Sequence, residues 1–297
     1  MKVAIIGANS YIARNLVYFV RQQECDVEWR LYDAAETQID GEANYKQINL
    51  LDKESVAQMD LDCDLVYMFV GKTGSAVGFD QYELFNNINQ TTLLHVIDEY
   101  RRQESKAKII FPSTRLVYKG QEKPLKETDE KEYKTNYAIN KFACEQFLEA
   151  YNRVYGVKYC TLRICIPYGT LIPNASSYGT LEFMLKKATS GEDITLFGDG
   201  KQRRTFTYMK DLCEVLWQAG ISEECLNDVY NIGGEDYSLL EVAEMVAAKY
   251  GVKVVNIPWP KTELLIESGS TVFDSAKLDG IIGENYRMKV KQWLSEK

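Results

Sequence analysis

Through its first 165 residues or so the chain alternates short apolar runs with longer segments of helical period, and the first run, Lys2-Val3-Ala4-Ile5-Ile6, ends directly on Gly7. A strand buried on both faces reads as an unbroken apolar run, and a parallel neighbour can only be reached through a crossover. The rhythm therefore predicts a parallel sheet covered by helices on both sides. Strands are expected at about 2–6, 28–32, 46–48, 65–70, 108–111 and 159–163, with helices at about 11–22, 80–102 and 135–155. Right-handed crossovers wind these elements into a doubly wound α/β fold of Rossmann type.

Past residue 164 the texture changes. Pro167, Gly169, Pro173, Asn174, Gly179, Gly191, Gly198 and Gly200 punctuate short segments without regular alternation. The expected organisation is a nucleotide-binding domain over 1–163, rejoined by segments within about 205–233, and a smaller C-terminal substrate-binding region formed by 164–204 and 234–297.

Charge and cysteine usage narrow the partners. With 35 Lys and Arg against 43 Asp and Glu, the net charge is −8 and the basic residues are scattered, which argues against nucleic acid. The seven cysteines form no Cys-x-x-Cys and have only His95 beside them, so no metal site is expected and a reduced cytoplasmic setting is the natural reading. No apolar run approaches the length of about 20 residues that a membrane span needs, so no membrane partner is expected.

Gly7-Ala8-Asn9-Ser10-Tyr11-Ile12-Ala13 has the spacing Gly-x-x-Gly-x-x-Gly, with Ser10 and Ala13 at the later two positions. Such a turn from strand to helix offers unpaired N–H groups to a pyrophosphate. Asp33 closes the second strand twenty residues after Ala13, where a carboxylate accepts both adenosine ribose hydroxyls and repels a 2′-phosphate. NAD is thus expected over NADP, unless Arg14 compensates. Asn49 and Leu50 fall where an adenine edge would be met, and Val70 ends the fourth strand.

The chemistry is expected at Thr114, at the carboxyl end of the fifth strand, and at Tyr137 and Lys141, four apart on one helical face. A fixed ammonium beside a phenol favours the phenolate and brings proton transfer within reach at neutral pH.

In this order, the Gly-rich turn, Asp33, Ser113-Thr114-Arg115-Leu116-Val117-Tyr118 and Tyr137-x-x-x-Lys141 resemble the extended short-chain dehydrogenase/reductase family, specifically its nucleotide-sugar epimerases, dehydratases and reductases. Asn87-Ile88-Asn89-Gln90-Thr91 is similar to that family's Asn-Val-x-Gly-Thr, which points to Asn87 as its structural Asn at the cofactor. Phe197-Gly198-Asp199-Gly200 leading to Arg204 resembles its Phe-Gly-Asp-Gly-x-x-x-Arg, which implies Phe197 against the nucleotide base and Arg204 on the diphosphate. The resemblance implies a homodimer and a hydride passing between a sugar carbon, most naturally C4, and NAD. Tyr137 would act as acid and base, Lys141 would lower its pKa, and Thr114 would hold the reacting oxygen.

Arg115 and Leu116 stand where the family's dehydratases carry Asp-Glu, which disfavours a 4,6-dehydratase. A 4-epimerase or a one-way 4-ketoreductase remains, with a non-catalytic NAD-binding sensor or scaffold as the alternative of another class. Ile166 and Glu267-Ser268-Gly269-Ser270 depart from the family's substrate contacts, the second replacing an Arg-x-Gly-Asp diphosphate clamp. Either Arg203 substitutes for that clamp, or the substrate is not a standard nucleotide sugar. Arg115 is read as a contact to a substrate carboxylate or phosphate, or else as the partner of a local Glu.

Overall fold

The computed structural model describes residues 1–297. The first part of the chain runs β1 (Lys2–Ile6), α1 (Tyr11–Arg21), β2 (Glu28–Asp33), β3 (Tyr45–Gln47), α2 (Lys53–Val56), β4 (Leu65–Met68), α3 (Val77–Asp80) and α4 (Tyr82–Asn86). A π-helical turn (Asn87–Thr91) leads into α5 (Thr92–Arg102), followed by β5 (Lys108–Thr114), a 3-10 turn (Arg115–Val117), α6 (Asn136–Tyr155) and β6 (Lys158–Ile164). The remainder comprises β7 (Ile166–Tyr168), α7 (Thr180–Thr189), β8 (Ile194–Phe197), β9 (Arg203–Tyr208), α8 (Met209–Ile221), β10 (Asp228–Asn231) and β11 (Glu235–Ser238). It closes with α9 (Leu239–Tyr250), β12 (Val254–Ile257), α10 (Lys261–Ile266), α11 (Ala276–Ile282) and α12 (Val290–Ser295).

Seven parallel strands form the main sheet in the order β3-β2-β1-β4-β5-β6-β10. Along β1, β2, β4, β5 and β6, alternate residues feed opposite cores. Val3, Ile5, Leu31, Tyr67, Ile110 and Leu162 pack with α1 and α8 on one face. Ala4, Ile6, Tyr32, Val66, Ile109 and Phe111 pack with α5 and α6 on the other. This two-sided burial is why the strands read as unbroken apolar runs. The strand order reverses between β1 and β4, so a crevice opens there at the carboxyl ends, where doubly wound sheets bind ligands.

Two expectations are corrected. The helix expected over 80–102 is divided into α3, α4 and α5: Gln81, at φ −112° and ψ 33°, ends α3, and the π turn separates α4 from α5, its Asn89 carbonyl receiving the Cys144 thiol at 3.0 Å. Of the segments expected to return to the main sheet, β10 pairs with β6 and α8 lies on the sheet face, but β9 does not join it. Both edges of β9 are taken, by β7 in parallel and β11 in antiparallel, in a separate three-stranded sheet. That sheet shares a core with α7, α9 and α12, built on Phe206, Met184, Val246 and Trp293. No helix is long and apolar enough to cross a membrane.

Candidate active site

The cofactor end is built by the first turn of the fold. Gly7 adopts φ +89°, and a Cβ there would stand 2.8 Å from the backbone of Phe69 and Val70, so no other residue fits without moving the segment that follows β4. Its N–H and that of Ala8 both bond the Tyr32 carbonyl, at 2.8 and 3.0 Å, tying the turn to β2. Ser10 caps α1, its hydroxyl accepting from Ala13 N at 3.4 Å, so the helix N-terminus opens onto the crevice. Asp33 is held with one oxygen on Asn9 N (2.9 Å) and the other on Ala35 N (3.2 Å). It lines a cavity of about 380 Å³ together with Gly7, Asn9, Ser10, Asn49, Leu50 and Val70. Arg14 forms a two-point ion pair with Asp40, at 2.6 and 2.8 Å, and is thereby held away from any compensating role toward a 2′-phosphate. The tight glycine cradle, the helix N-terminus and the ribose-reading carboxylate together fit a dinucleotide such as NAD.

Ser10, Phe69, Val70 and Gly71 also line a second, larger cavity of about 650 Å³, making one continuous cleft along the switch point. Tyr11, Ile12, Thr114, Arg115, Tyr137 and Lys141 line this second cavity. Thr114 arrives on β5, every residue of which is buried. Tyr137 and Lys141 arrive on the first two turns of α6, whose start is fixed by Thr135 accepting from Ala138 N at 3.1 Å. Lys141 is 5% exposed and donates to the Pro112 carbonyl at 2.8 Å, with its ammonium 4.5 Å from the Phe111 ring centre. Four residues on, Glu145 forms a buried ion pair with Arg163 of β6 at 2.6 Å and accepts from Ser113. These links fix α6 against β5 and β6, and with them Tyr137 against Thr114.

The electrostatics differ from the simple expectation. Burial pushes the Tyr137 phenol up to about 12, the Thr114 hydroxyl pulling in the other direction, and Lys141 is not among the groups that shift it. Burial also holds the Lys141 ammonium down at about 8, against the pull of Cys144 and Glu145. The protein alone therefore does not supply the phenolate; a positively charged nicotinamide beside Tyr137 is the kind of group that would favour it.

Several expected residues lie elsewhere. Asn87 is exposed on the π turn and lines neither cavity, while Asn89, two residues on, is buried and exchanges hydrogen bonds with the backbone of Lys72 at 2.8 and 3.1 Å. Phe197 lies outside both cavities and packs on Trp259 with ring centres 5.3 Å apart. Arg204 is 1% exposed and spent internally, bonding Glu267 at 2.6 Å and the Arg203 carbonyl at 2.8 Å. Arg203 points the other way, to Asp236 and Glu241. Neither arginine lines the cavity. His95 serves the scaffold, its Nδ1 2.8 Å from the Leu50 carbonyl. Among the contributors not foreseen are the Pro112 carbonyl, Cys165, and Tyr178, whose hydroxyl meets that of Thr73 at 3.2 Å. Only the Gly/Pro-rich texture around Tyr178 hinted at a covering loop.

Comparison with known proteins agrees with this geometry. The model of the NAD dependent epimerase/dehydratase family matches residues 3–233. A UDP-N-acetyl-alpha-D-glucosaminuronate decarboxylase of Bacillus cytotoxicus is 28% identical over 231 residues, covering 72% of this chain and 68% of that protein. A putative UDP-glucose 4-epimerase of Methanocaldococcus jannaschii is 25% identical over 170 residues, covering 56% of this chain and 54% of the relative. The solved UDP-glucose 4-epimerase of Thermotoga maritima, with UDP-glucose, superimposes with a TM-score of 0.85 at 21% identity, covering 98% of this chain and 96% of that one.

Proposed function

The chain belongs to the NAD-dependent epimerase/dehydratase family, and from that premise we propose that it transfers a hydride between NAD and C4 of a nucleotide-activated sugar, as a 4-epimerase. One observation carries the reading: Thr114, Tyr137 and Lys141, from a strand and a helix of the nucleotide-binding half, converge on one cavity that runs on into the Asp33 cavity. A pure NAD sensor has no need of that set.

Gly7, Asn9, Ser10 and Asp33 would hold the adenosine and pyrophosphate, and Lys141 the second ribose. When bound, NAD supplies the hydride acceptor. In the proposed reaction Tyr137 removes the proton of the sugar C4 hydroxyl as that carbon is oxidised, and Thr114 keeps the reacting oxygen in line. Rotation of the 4-ketone would present its opposite face, so that C4 regains its hydride from that side while Tyr137 returns the proton to the C4 oxygen, which completes an epimerisation. Such acid–base help is worth about 10²- to 10⁴-fold. The second reading, a one-way 4-ketoreductase, uses only the return step. It is favoured over dehydration by Arg115 and Leu116, since neither can shuttle the proton that loss of water requires.

Residues 1–163 with α8 and β10 would form the cofactor-binding unit and the remainder the substrate cover. We also propose that two copies pair through α4 and α6, where Tyr82, Leu84 and Ile139 stay 53%, 41% and 47% exposed. Sedimentation equilibrium should give the mass of two chains; a single-chain mass at micromolar concentration would rule this out.

The test of activity is a panel of UDP-, dTDP-, GDP- and CDP-sugars incubated with the protein and NAD or NADH. Conversion to the C4 epimer without net NADH change supports the first reading, and stoichiometric NADH consumption by a 4-keto sugar the second. NAD binding without turnover of any member would favour the sensor.

A further inference from the structure

The larger cavity is lined by two cations, Arg115 and Lys141, and by no carboxylate, in a chain whose net charge is −8. Lys141 is already anchored on the Pro112 carbonyl. Arg115 forms no ion pair: its Nη1 donates to two hydroxyls, Ser268 Oγ at 3.2 Å and Thr271 Oγ1 at 3.3 Å, and Nε and Nη2 have no acceptor in the protein. The one acid nearby, Glu267, is committed to Arg204 and to the Gly269 N–H. Burial and the field of Arg204 together press the Arg115 guanidinium down to about 10, so the fold holds this cation against its own preference.

A half-buried, unpaired guanidinium is costly until an anion meets it. Arg115 directly follows Thr114 and lines the same cavity, which places the cation beside the space that a substrate held at Thr114 would fill. Resting on the nucleotide-sugar reading above, we propose that Arg115 is a specificity-determining residue that binds a carboxylate carried on the sugar, so that the substrate class is a nucleotide-linked acidic sugar. One planar guanidinium matches one carboxylate in charge and in bidentate shape. A phosphate ester, at about −1.5 to −2, would leave negative charge uncompensated. With Arg203 and Arg204 both occupied, no second free arginine of this lobe is available to complete a phosphate site.

The test uses calorimetric titration of the NAD-loaded protein with UDP-glucuronate against UDP-glucose, and with glucuronate 1-phosphate against glucose 1-phosphate, a pair that does not depend on the base. In at least one pair the carboxylated member should bind about 10- to 100-fold more tightly, the worth of one charge-assisted contact. Arg115→Gln should erase that preference while leaving the neutral member within about twofold, and Arg115→Lys should restore part of it. Unchanged thermal melting and NAD affinity would show that the variants are folded. Equal binding within both pairs, or a uniform loss across both members in Arg115→Gln, overturns the proposal while the nucleotide-sugar reading stands. Failure of all four compounds to bind protein that binds NAD overturns the proposal, and the nucleotide-sugar reading falls with it if the dTDP-, GDP- and CDP-sugars of the panel also fail to bind.

Discussion

The ammonium of Lys141 donates to the carbonyl of Pro112 at 2.8 Å, so the cation of the proposed catalytic pair is fastened to the strand that ends, two residues later, in Thr114. One contact thus couples the helix bearing Tyr137 to the strand bearing its partner hydroxyl. It also holds a charge where burial disfavours charge.

That burial gives a stability signature. In the folded chain Lys141 titrates near 8, against 10.5 for the exposed group. Below pH 8 both states are protonated and the burial cost is fully present; between 8 and 10.5 the folded state has lost its proton first, so stability rises with pH. Relative to Lys141→Met, the wild type should gain on the order of 3 kcal/mol at most across this window. Urea unfolding of both proteins at several pH values measures the difference, and a gap that stays flat or moves the other way contradicts the burial account.

Cofactor preference rests on Asp33 with Arg14 sequestered by Asp40. Wild-type protein should therefore bind NAD far better than NADP. Asp33→Asn alone should improve NADP binding only modestly, whereas Asp33→Asn with Asp40→Asn, which releases Arg14, should improve it by about tenfold or more. Fluorescence titration with NADPH decides this, and a single variant as effective as the double one would show that Asp40 does not restrain Arg14.

The ion pair between Glu145 and Arg163 has side chains 1% and 4% exposed. Glu145→Gln strands a buried guanidinium and should cost about 3–5 kcal/mol, while Glu145→Met with Arg163→Met should recover much of it. Denaturant unfolding tests the order of the three proteins. A double variant no better than the single one would mean that the loss comes from packing and from the hydrogen bonds that Arg163 donates to the Tyr118 hydroxyl (2.6 Å) and Ser113 donates to Glu145, rather than from the uncompensated charge.

What could be read in advance follows from how local each signal is. β1, β2, β5 and β6 announce themselves because both faces of the sheet are covered, and Gly7 because its turn admits no Cβ. The pair Tyr137 and Lys141 is legible because four residues bring a helix round to the same face. Asn-Ile-Asn-Gln-Thr offers two asparagines, and the motif match that singles out Asn87 does not show that Asn89 is the buried one of the two. Arg204 matched a motif, yet its partner Glu267 lies 63 residues away and was visible only as a missing arginine. The position of β9 depended on strands competing for its edges, which no local pattern encodes. The phenol's pKa is likewise not legible from spacing, because the burial that raises it depends on the packing of the whole cleft.

The most direct measurement compares wild type with Tyr137→Phe, NAD-loaded, on whichever nucleotide sugar of the panel the wild type converts. The phenyl ring keeps the packing and removes only the proton carrier. Turnover should fall by about 10²-fold or more with NAD affinity within about twofold of wild type. Turnover equal to wild type would contradict Tyr137 as the acid and base of the reaction.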